Sequence, residues 1–533
     1  MRIIDKITYL YKKFIKKKTN NSEEVNFDKL VNDNVEELKI EDKEEKEKLK
    51  KKWRDILIKN SEKYGKVSKG NKVKIYNDGL SAFSDILRSI DKSKKRVWFE
   101  SYIFDDSRLA EIIVNSLCNA SKRGCDVILL IDYIGSLKMK SKWVNKLKEN
   151  NVNIIFFNTF LNSFLNMLPI FFRDHRKIII TDNCAYCGSM NVSENVIPNE
   201  NFDKKENGEK KSKCLEYYDL HMKIKGPSVK DLADVFLDSL KMTKSSIIRN
   251  PIEKQKMYFS DDSCFIQVLE SNVLRKVKSI QLTFDYIIKN AAYNIYITTS
   301  YFLPPGFLRR ALFSALSNGV NISFLFSGNS DVYGDVPATY YIMKKFLKKF
   351  HKKNSTGEYN KILINYLNLR KNLYYQNFIR NPKNIHQNKK KKNRGTNKFY
   401  FFQKKHCHAK NLVVDNLWCA IGSFNWDRFS SRRNLEVMIS IFDKKVCDQF
   451  IKEHQNKIKD NSIEITLPHI TNRNVFQILM SYCAYHLGKL SGRNIFDGLS
   501  NNSKKTILRK ALINKYLNDN CIQNISLNMM WGV

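Results

Sequence analysis

Residues 408–425 read HAKNLVVDNLWCAIGSFN, and residues 175–191 read HRKIIITDNCAYCGSMN. Both stretches follow one pattern: His-x-Lys, four residues, Asp, then five or six residues and Gly-Ser-x-Asn. A single His-x-Lys on a strand is usually an ordinary surface alternation. Two copies, each followed by the same later residues, indicate an internal duplication and a site to which both copies contribute.

The residues upstream of each copy repeat as well. In both places a β-branched and aromatic run precedes a helical pattern, a glycine and a second apolar run. The predicted elements are residues 96–102, 109–120, Gly124 and 127–131 in the first block, and residues 295–301, 307–316, Gly319 and 322–326 in the second. Alternating strands and helices are typical of an α/β fold, so the sequence predicts two α/β blocks of similar architecture.

The chain is long enough for several domains, because it has 533 residues and a domain takes roughly 100–200. Composition divides it into a basic N-terminal extension, two α/β domains, polar insertions that bury little apolar surface, and a C-terminal helical segment. The predicted boundaries are 1–70 for the extension, 71–250 and 251–460 for the domains, 199–213 and about 370–398 for the insertions, and 461–533 for the C-terminal segment.

The chain is strongly basic, with 93 Lys and Arg against 54 Asp and Glu and a formal net charge of +39. Such a charge favours a polyanionic partner, either nucleic acid or an anionic lipid surface. The 11 cysteines show no paired spacing, so we expect mostly reduced thiols. Cys184 and Cys187 lack a second ligand pair, and we expect core thiols there and no metal site.

The alternating direction of side chains along a strand explains the His-x-Lys spacing of the two motifs. Residues i and i+2 project to one face, so each histidine points the same way as its lysine. Packed about a pseudo-twofold axis, the motifs form one pocket with two imidazoles and two ammonium groups. Such a pocket suits a phosphodiester, because lysines neutralise its oxygens while one imidazole attacks phosphorus and the other protonates the departing alkoxide. This chemistry requires neither a metal nor another cofactor.

The paired motifs resemble those of the phospholipase D superfamily, in which two HKD motifs form one active site. The second copy is similar to the signature of bacterial-type cardiolipin synthases. The residues that carry this similarity are Gly422-Ser423-Phe424-Asn425-Trp426-Asp427, Ser430, Asn434, Leu435 and Glu436. The resemblance extends over about residues 71–455 and implies a duplicated phospholipase D-like α/β/α sandwich, a pseudo-twofold two-domain unit with one shared active site.

The resemblance also implies roles for individual residues. The histidine of the first motif is the family's nucleophile, so His175 takes that role and His408 acts as general acid and base. Two carboxylates, Asp219 and Glu436, are expected to orient the rings. The complete motif set is His175, Lys177, Asp182, His408, Lys410 and Asp415. For its two aspartates we favour a supporting hydrogen bond within each half over direct catalysis. The expected supporting and phosphate-binding residues are Ser189, Asn191, Ser423 and Asn425.

The leading functional hypothesis is a phosphatidyltransferase of the cardiolipin synthase type. It would transfer a phosphatidyl group from phosphatidylglycerol to a second phospholipid through a phosphohistidine. A phospholipase D that hydrolyses phospholipids is the nearest alternative. A nucleic-acid phosphodiesterase is less favoured, because the DNA-repair members typically carry Asn where this chain has Asp182 and Asp415. A lipid-binding scaffold without activity is disfavoured by the two intact His-Lys pairs.

The expected partners are an anionic phospholipid substrate and a membrane surface, with no nucleic acid and no inferable partner protein. Ile3, Ile7 and Phe14 belong to an apolar helical face among lysines, which favours membrane association or targeting. The uncharged stretch 152–172 is too close to His175 to cross a bilayer. Its helical face, Phe160, Leu161, Phe164, Leu165 and Leu168, either dips into the membrane or packs on the core. The function that the resemblance implies belongs to the mitochondrial inner membrane in a eukaryote or to the cytoplasmic membrane in a bacterium. The Lys- and Asn-rich insertions are typical of an AT-rich eukaryotic genome, so we expect a mitochondrial inner-membrane location, peripheral or interfacially anchored.

Overall fold

Each predicted block forms parallel strands joined by a helix, as its apolar runs and helical pattern require. The computed structural model describes residues 25–165, 169–198, 215–260, 263–330, 334–350 and 394–491. Contacts group Met1–Gly488 into one compact unit and Lys489–Val533 into another. Residues 492–533 of the predicted C-terminal segment, the N-terminal apolar face and nearly all of the two polar insertions lie outside the described residues.

The first half contains a strand that borders the second half, followed by alternating helices and strands. Its elements are β1 (Lys66–Tyr76), α3 (Gly79–Asp91), β2 (Arg96–Ser101), α4 (Arg108–Lys122), β3 (Asp126–Asp132), α5 (Ser141–Glu149), β4 (Asn153–Phe157), α6 (Phe160–Leu165), β5 (Ile178–Ile180), β6 (Ala185–Gly188), β7 (Tyr217–Tyr218), β8 (His221–Lys225) and α7 (Ser228–Met242). Two helices precede it, α1 (Phe27–Glu36) and α2 (Lys43–Lys63).

The second half repeats this order. Its elements are β9 (Cys264–Asn272), β10 (Val277–Lys278), α8 (Ser279–Asn290), β11 (Asn294–Thr299), α9 (Gly306–Ser317), β12 (Asn321–Ser327), α10 (Asp335–Phe350), β13 (Asn397–Phe402), β14 (His406–Cys407), β15 (Asn411–Val414), β16 (Trp418–Gly422), α11 (Arg428–Arg432), β17 (Glu436–Phe442), α12 (Lys444–Asn461), β18 (Ser462–Glu464), α13 (Leu467–Thr471) and α14 (Val475–Ser491). The stretch predicted as an insertion at about 370–398 therefore ends inside a strand, because β13 begins at Asn397.

One continuous sheet joins the two halves. Its hydrogen-bonded order is β4-β3-β2-β5-β6-β8-β1-β9-β17-β16-β15-β11-β12-β13-β18. The order is the same outward from the central β1–β9 pair in both directions, apart from β18 at one edge. In each half the three outer strands, β2 to β4 and β11 to β13, are parallel, and the inner strands pair antiparallel. The sheet therefore carries the pseudo-twofold relation that the duplicated sequence predicts.

Two glycines end equivalent helices in equivalent ways. Gly124 follows α4 with φ +87°, and Gly319 follows α9 with φ +96°. A left-handed residue just past a helix C-terminus is a common stop, and glycine adopts it without a Cβ penalty. Each turn returns the chain to a parallel strand next to the one it left, β3 beside β2 and β12 beside β11.

The segment before β1 packs on the second half of the molecule. Trp53 of α2 is fully buried, and its ring centre lies 5.4 Å from that of Phe442. Gln267 of β9 donates a side-chain hydrogen bond to the carbonyl of Asn60 at 3.1 Å. Residues 27–63 thus contribute to the core of the second half, although they precede the first half in the chain.

Candidate active site

The His-x-Lys segments lie just before two equivalent strands in the middle of the sheet. His175 and Lys177 precede β5, which pairs antiparallel with β2 so that Ile178 lies opposite Glu100. Lys410 immediately precedes β15, whose first residue, Asn411, lies opposite Thr298 of β11. Both motifs therefore lie beyond the carboxyl ends of parallel strands, where ligands of α/β sheets bind.

The first histidine is held by the second half of the molecule. The backbone N–H of His175 donates to the carbonyl of Leu435 at 3.1 Å. Its ring Nδ1 lies 3.1 Å from Glu436 Oε2 and 3.1 Å from the carbonyl oxygen of Ser423. The ring of the first motif thus takes its hydrogen-bond partners from the second Gly-Ser-x-Asn segment and the strand after it.

The second histidine is held by the first half in the same way. His408 Nδ1 lies 2.7 Å from Asp219 Oδ2, and the backbone N–H of His408 donates to the carbonyl of Tyr218 at 2.8 Å. The short strands β14 and β7 pair in parallel beside these contacts. The predicted carboxylates therefore meet the two rings, and each carboxylate belongs to the half opposite its histidine.

These contacts determine which nitrogen of each ring carries the hydrogen. His175 Nδ1 lies between two acceptors, so it carries the hydrogen, and His408 Nδ1 donates to a carboxylate. In a neutral imidazole with Nδ1 protonated, Nε2 keeps its lone pair. Nε2 of each histidine is thus the atom able to attack phosphorus or to exchange a proton.

Burial and neighbouring charges set the protonation of the pair. Burial lowers the pKa of His408 to about 3, with Lys410 acting in the same direction, while Asp219 opposes the shift. Burial and Lys177 also lower the pKa of His175, against the opposing effect of Glu436. Both rings are consequently neutral near pH 7.

The carboxylates remain charged despite their burial. Burial opposes the charge of Asp219, but His408 and Lys410 lower its pKa to about 2. Burial would likewise raise the pKa of Glu436, yet contacts with His175 and Ser423 lower it. Each imidazole therefore faces a permanent anion that favours the imidazolium once another negative charge enters the site.

The serines of both Gly-Ser-x-Asn segments contact these carboxylates. The hydroxyl of Ser189 donates to Asp219, and that of Ser423 donates to Glu436. Both hydroxyl hydrogens point to the carboxylates, which favours the supporting role of the predicted set over phosphate binding for these serines.

The asparagines of the same segments have different surroundings. Asn191 Oδ1 accepts from the backbone N–H of Ile103 at 3.3 Å. Asn425 is 5% exposed, and its Oδ1 has no hydrogen-bond partner in the described part of the chain. Buried amide oxygens are usually paired, so Asn425 is the member of the predicted set most suited to contact a bound ligand.

The two lysines line the same site. Lys177 Nζ donates to the carbonyl of His175 at 2.7 Å and lies 5.2 Å from the centre of the Tyr102 ring. Lys410 Nζ donates to the carbonyl of His408 and lies 3.2 Å from Ser300 Oγ. Burial lowers the pKa of Lys177 to about 7, and the charge of Lys410 adds to this effect. The ammonium groups are thus close enough to interact, and a bound anion would stabilise both.

The aspartates of the motifs lie at the opposite end of their strands. Asp182 accepts hydrogen bonds from the backbone N–H groups of Lys94, Lys95 and Arg96, just before β2. Asp415 accepts from those of residues 292–294, just before β11. The histidines lie beyond the other ends of the same strands, so the structure supports the supporting role and not direct catalysis.

We expect replacement of Asp182 or Asp415 by Asn to lower stability and leave chemistry intact. Each carboxylate accepts hydrogen bonds from the backbone N–H groups of three successive residues, and hydrogen bonds to a charged group contribute about 1.5–3 kcal/mol. Chemical denaturation should show a loss of that size, against almost none for Asp448→Asn on the exposed face of α12. A large fall in the specific activity of the folded variants would contradict this assignment.

Several residues near the rings were not identified from the sequence. The Tyr102 ring centre lies 4.8 Å from that of His175, and the Tyr217 ring centre lies 5.0 Å from that of His408 and 4.7 Å from that of His406. Ser300 contacts Lys410. Tyr102 and Ser300 occupy equivalent positions, each directly after the last residue of a parallel strand, β2 and β11. This repeated position is the signal in the sequence that points to these two residues.

The paired cysteines are core residues. Cys184 and Cys187 are free, buried thiols that belong to two different hydrophobic clusters, one on each side of the sheet. Among the described residues, no group of three or more His, Cys, Asp and Glu side chains has the arrangement of a metal site.

Comparisons of the sequence with known proteins point to one family. The model of the family described as cardiolipin synthase, PLD-like domain, matches residues 86–205 and 285–458. A cardiolipin synthase of Clostridium perfringens (strain 13) is 26% identical over 417 residues, which cover 75% of this chain and 74% of that protein. Cardiolipin synthase A of Pseudomonas syringae is 24% identical over 380 residues, covering 71% and 67%.

A solved structure shows the same fold. The crystal structure of phosphatidylserine synthase from Haemophilus influenzae superposes with a TM-score of 0.56 and 11% identity, covering 83% of this chain and 98% of that one. The predicted superfamily and the predicted duplicated α/β architecture are confirmed. With more than half of its residues matched by the family model, the chain belongs to the cardiolipin synthase family of phospholipase D-like proteins.

Proposed function

We propose that the protein transfers a phosphatidyl group from phosphatidylglycerol to a second phospholipid, with His175 as the nucleophile. Membership of the family confirms the predicted class, a phosphatidyltransferase of the cardiolipin synthase type. The donor, the acceptor and the roles of individual residues are the parts that the proposal adds. No cofactor is assigned to the reaction, which exchanges one phosphodiester for another.

The observation that supports the proposal most directly is the crossed pairing of histidines and carboxylates. His175 of the first half contacts Glu436 of the second, and His408 of the second half contacts Asp219 of the first. Neither half alone contains a histidine with its orienting carboxylate. The two motifs therefore work as one site that presents two nitrogen atoms of different function to one phosphate.

The first step forms a phosphohistidine. Nε2 of His175 attacks phosphorus, so a P–N bond forms while the P–O bond to glycerol breaks. The proton for the departing glycerol oxygen comes from Nε2 of His408, which becomes neutral. Glu436 accepts the hydrogen bond from Nδ1 of His175 and stabilises the positive charge that the ring acquires.

The second step reverses the roles. Neutral His408 removes the proton from a hydroxyl group of the acceptor lipid, whose oxygen attacks phosphorus and breaks the P–N bond. His175 is released as the free imidazole and His408 is again protonated. When water occupies the acceptor position, the same step yields phosphatidic acid, so transfer requires that the lipid hydroxyl displaces water.

The substrate itself supplies the charge that protonates His408. Burial and the charge of Lys410 lower the pKa of this ring to about 3. A phosphodiester brings one negative charge into the pocket, which offsets Lys177 and Lys410 and raises the pKa of the ring. Proton uptake thus accompanies substrate binding, and the acid needed for the first step forms only when a substrate is present.

A membrane surface is the proposed location of the reaction. Near the first motif, Phe160, Leu161, Ile170 and Phe171 expose between 46% and 66% of their surface. Exposure of Phe160 and Leu161 favours the membrane-contact alternative for this face, while the side chains of Phe164, Leu165 and Leu168 lie outside the described residues. None of the described helices combines the length and apolar character needed to cross a bilayer.

The finer location and the domain boundaries stay predictions. The mitochondrial inner membrane is an expectation from the implied function and the Lys- and Asn-rich insertions. The relatives compared above are bacterial, so they give that location no support. The boundaries at residues 70, 250 and 460 follow the repeated pattern of the sequence. The central β1–β9 pair is consistent with a division between the two halves.

Product analysis tests the proposed function. Purified full-length protein should convert phosphatidylglycerol vesicles into cardiolipin and glycerol, identified by mass, without an added cofactor. Phosphatidylethanolamine and a CDP-activated lipid should be offered separately as donors. Phosphatidic acid as the sole product would overturn transfer in favour of hydrolysis, and a product that forms only with another donor would overturn the assignment of phosphatidylglycerol.

A further inference from the structure

A second apolar surface lies on α14, away from the catalytic residues. Val475, Leu479 and Tyr482 follow one another at helical spacing on one face and are 83%, 55% and 50% exposed. Phe476 and Leu487 lie beside them, 69% and 66% exposed. The opposite face of the helix packs on the domain, where Ser481 and Tyr485 are buried. This apolar face, Val475 to Leu487, is thus turned outward by the packing of the helix itself.

A basic cavity of about 240 Å³ adjoins this face. It lies between α14, α13 and α10, and its lining contains four cations and no carboxylate. Its lining residues are Tyr340, Tyr341, Lys344, Lys345, Lys348, Ile470, Arg473, Ile478, Ser481 and Tyr482. We refer to this group as the α10–α14 cavity.

Two of the four cations, Arg473 and Lys345, contact aromatic rings, and Arg473 also bonds to a hydroxyl group. The Arg473 guanidinium lies 4.3 Å from the centre of the Tyr340 ring, and its Nη1 donates to Ser481 Oγ at 2.7 Å. Lys345 Nζ lies 4.5 Å from the centre of the Tyr341 ring. In the described part of the chain, none of the four cations forms an ion pair with a carboxylate. Their positive charge is therefore available to an external anion.

We propose that the α10–α14 cavity and the apolar face of α14 bind an anionic phospholipid of a bilayer, at a site separate from the catalytic pocket. The lipid phosphate would contact the lysines and Arg473, and its acyl chains would cover Ile478, Leu479 and Tyr482. An anionic bilayer offers negative charge directly next to apolar surface, which matches this arrangement. Nucleic acid would satisfy the charge but leave the exposed Val, Leu and Phe side chains in water.

The position of the helix connects this surface to the catalytic site. Arg309 of α9 donates to the Tyr485 hydroxyl at 3.1 Å, and a Cβ added to Gly488 would lie 3.4 Å from a methyl group of Leu303. Leu303 lies in the same loop segment as Ser300, Ser300-Tyr301-Phe302-Leu303, and Ser300 contacts Lys410. Binding at α14 would consequently hold the rim of the second half against the bilayer, where the substrate of the proposed function resides.

Vesicle sedimentation with the full-length chain tests the proposal. The wild-type protein should bind vesicles of phosphatidylglycerol and phosphatidylcholine more tightly than vesicles of phosphatidylcholine alone. The triple variant Lys344→Gln, Lys345→Gln, Lys348→Gln should bind the anionic vesicles roughly 100-fold more weakly at low ionic strength, since each lysine at an anionic surface contributes roughly fivefold. The double variant Phe476→Ser, Leu479→Ser should lose binding even at low ionic strength.

A matched triple variant controls for net charge. Lys92, Lys94 and Lys95 are exposed at the end of the sheet opposite the histidines, and their replacement by Gln removes the same charge. The proposal is wrong if the triple variant at Lys344, Lys345 and Lys348 binds anionic vesicles as tightly as the wild type or as this control does. It is also wrong if the double variant at Phe476 and Leu479 keeps full vesicle binding but loses self-association. That result would identify a second copy of the chain as the occupant of the surface.

Two further measurements separate this proposal from the proposed function. Both variants should retain turnover of a water-soluble, short-chain phosphatidylglycerol, because the catalytic pocket is intact. A His175→Ala variant should bind vesicles like the wild type. If the wild-type protein shows no transfer activity but binds vesicles through α14, the proposed function is wrong, whereas the proposed lipid-binding site at α10 and α14 is supported.

Discussion

Replacing His175 by Ala is expected to reduce turnover by at least about 10⁴-fold, and replacing His408 by Ala by a similar factor. In the proposed mechanism His175 Nε2 forms the bond to phosphorus, and Glu436 holds the opposite side of its ring through Nδ1. His408 is needed in both steps, first to protonate glycerol and then to deprotonate the acceptor. Phosphatidylglycerol turnover should therefore not distinguish the two variants.

A donor with a better leaving group separates the two roles. A phosphatidyl ester of p-nitrophenol departs without a proton, so the His408→Ala variant should still release nitrophenol in a rapid burst of one equivalent. The phosphatidyl group should then remain on the protein, detected by mass on the peptide that contains residue 175. The His175→Ala variant should release none and carry no label.

The opposite result would reverse the assignment. A burst and a labelled peptide in His175→Ala, with neither in His408→Ala, would make His408 the nucleophile and His175 the acid. His454→Ala is a suitable control for loss of a buried histidine. Its ring bonds to the hydroxyl groups of Thr298 and Ser323, and its removal should alter stability more than the rate of the burst.

Asp219→Asn and Glu436→Gln are each expected to reduce turnover of phosphatidylglycerol by roughly 10³- to 10⁴-fold, as for the orienting carboxylate of other nucleophile–histidine sites. Each amide retains the size of the carboxylate but removes the negative charge that faces the imidazole. It also presents an NH₂ group to Nδ1, which favours the wrong tautomer of the ring. Both substitutions thus act through the histidine and need not disturb the fold.

The crossed geometry predicts different responses to the leaving group. Asp219 acts on His408, so Asp219→Asn should recover most of its burst rate with the nitrophenyl donor, which needs no acid. Glu436 acts on the nucleophile, so Glu436→Gln should be slow with both donors. Equal recovery in the two variants would contradict the assignment of Asp219 to His408. Glu270→Gln, which removes a carboxylate that contacts Arg176, is the matched control.

The pH profile supplies a second readout for Asp219. The general acid must be protonated, so activity falls as pH rises above its pKa in the substrate complex. Asp219 raises the pKa of His408, and its removal lowers that pKa. The alkaline limb of the profile should therefore move to lower pH in Asp219→Asn. A purely structural role would reduce the amplitude of the profile without moving this limb.

Much of the fold could be predicted because its pattern is local. The run at 96–102, the helix at 109–120 and the turn at Gly124 correspond to β2, α4 and the left-handed glycine that follows it. Burial of one face of a strand or helix produces a periodic pattern of apolar residues, and this pattern can be recognised within a short stretch of sequence. The contribution of residues 27–63 to the core of the second half was not predictable in this way. Trp53 contacts Phe442, which is far away along the chain.

The role of the two motif aspartates could not be predicted from the repeated sequence pattern alone. Asp182 and Asp415 repeat as faithfully as the histidines, and repetition alone does not separate a reacting group from one that holds a turn. Strand direction does separate them. Each strand between the histidine and the aspartate places the two at opposite ends, and the carboxylates accept hydrogen bonds from the turns before β2 and β11.

By itself the sequence determined that this protein carries two His-x-Lys motifs on repeated α/β blocks, because that information lies in spacing and in short periodic patterns. Only the tertiary structure decided which carboxylate serves which histidine. Asp219 is 189 residues from His408, and Glu436 is 261 residues from His175. The central β1–β9 pair joins the two half-sheets, and packing of the halves brings each ring against the opposite carboxylate. Contacts of this kind form when segments distant in the chain pack against each other, and residue spacing along the chain does not determine which segments those are.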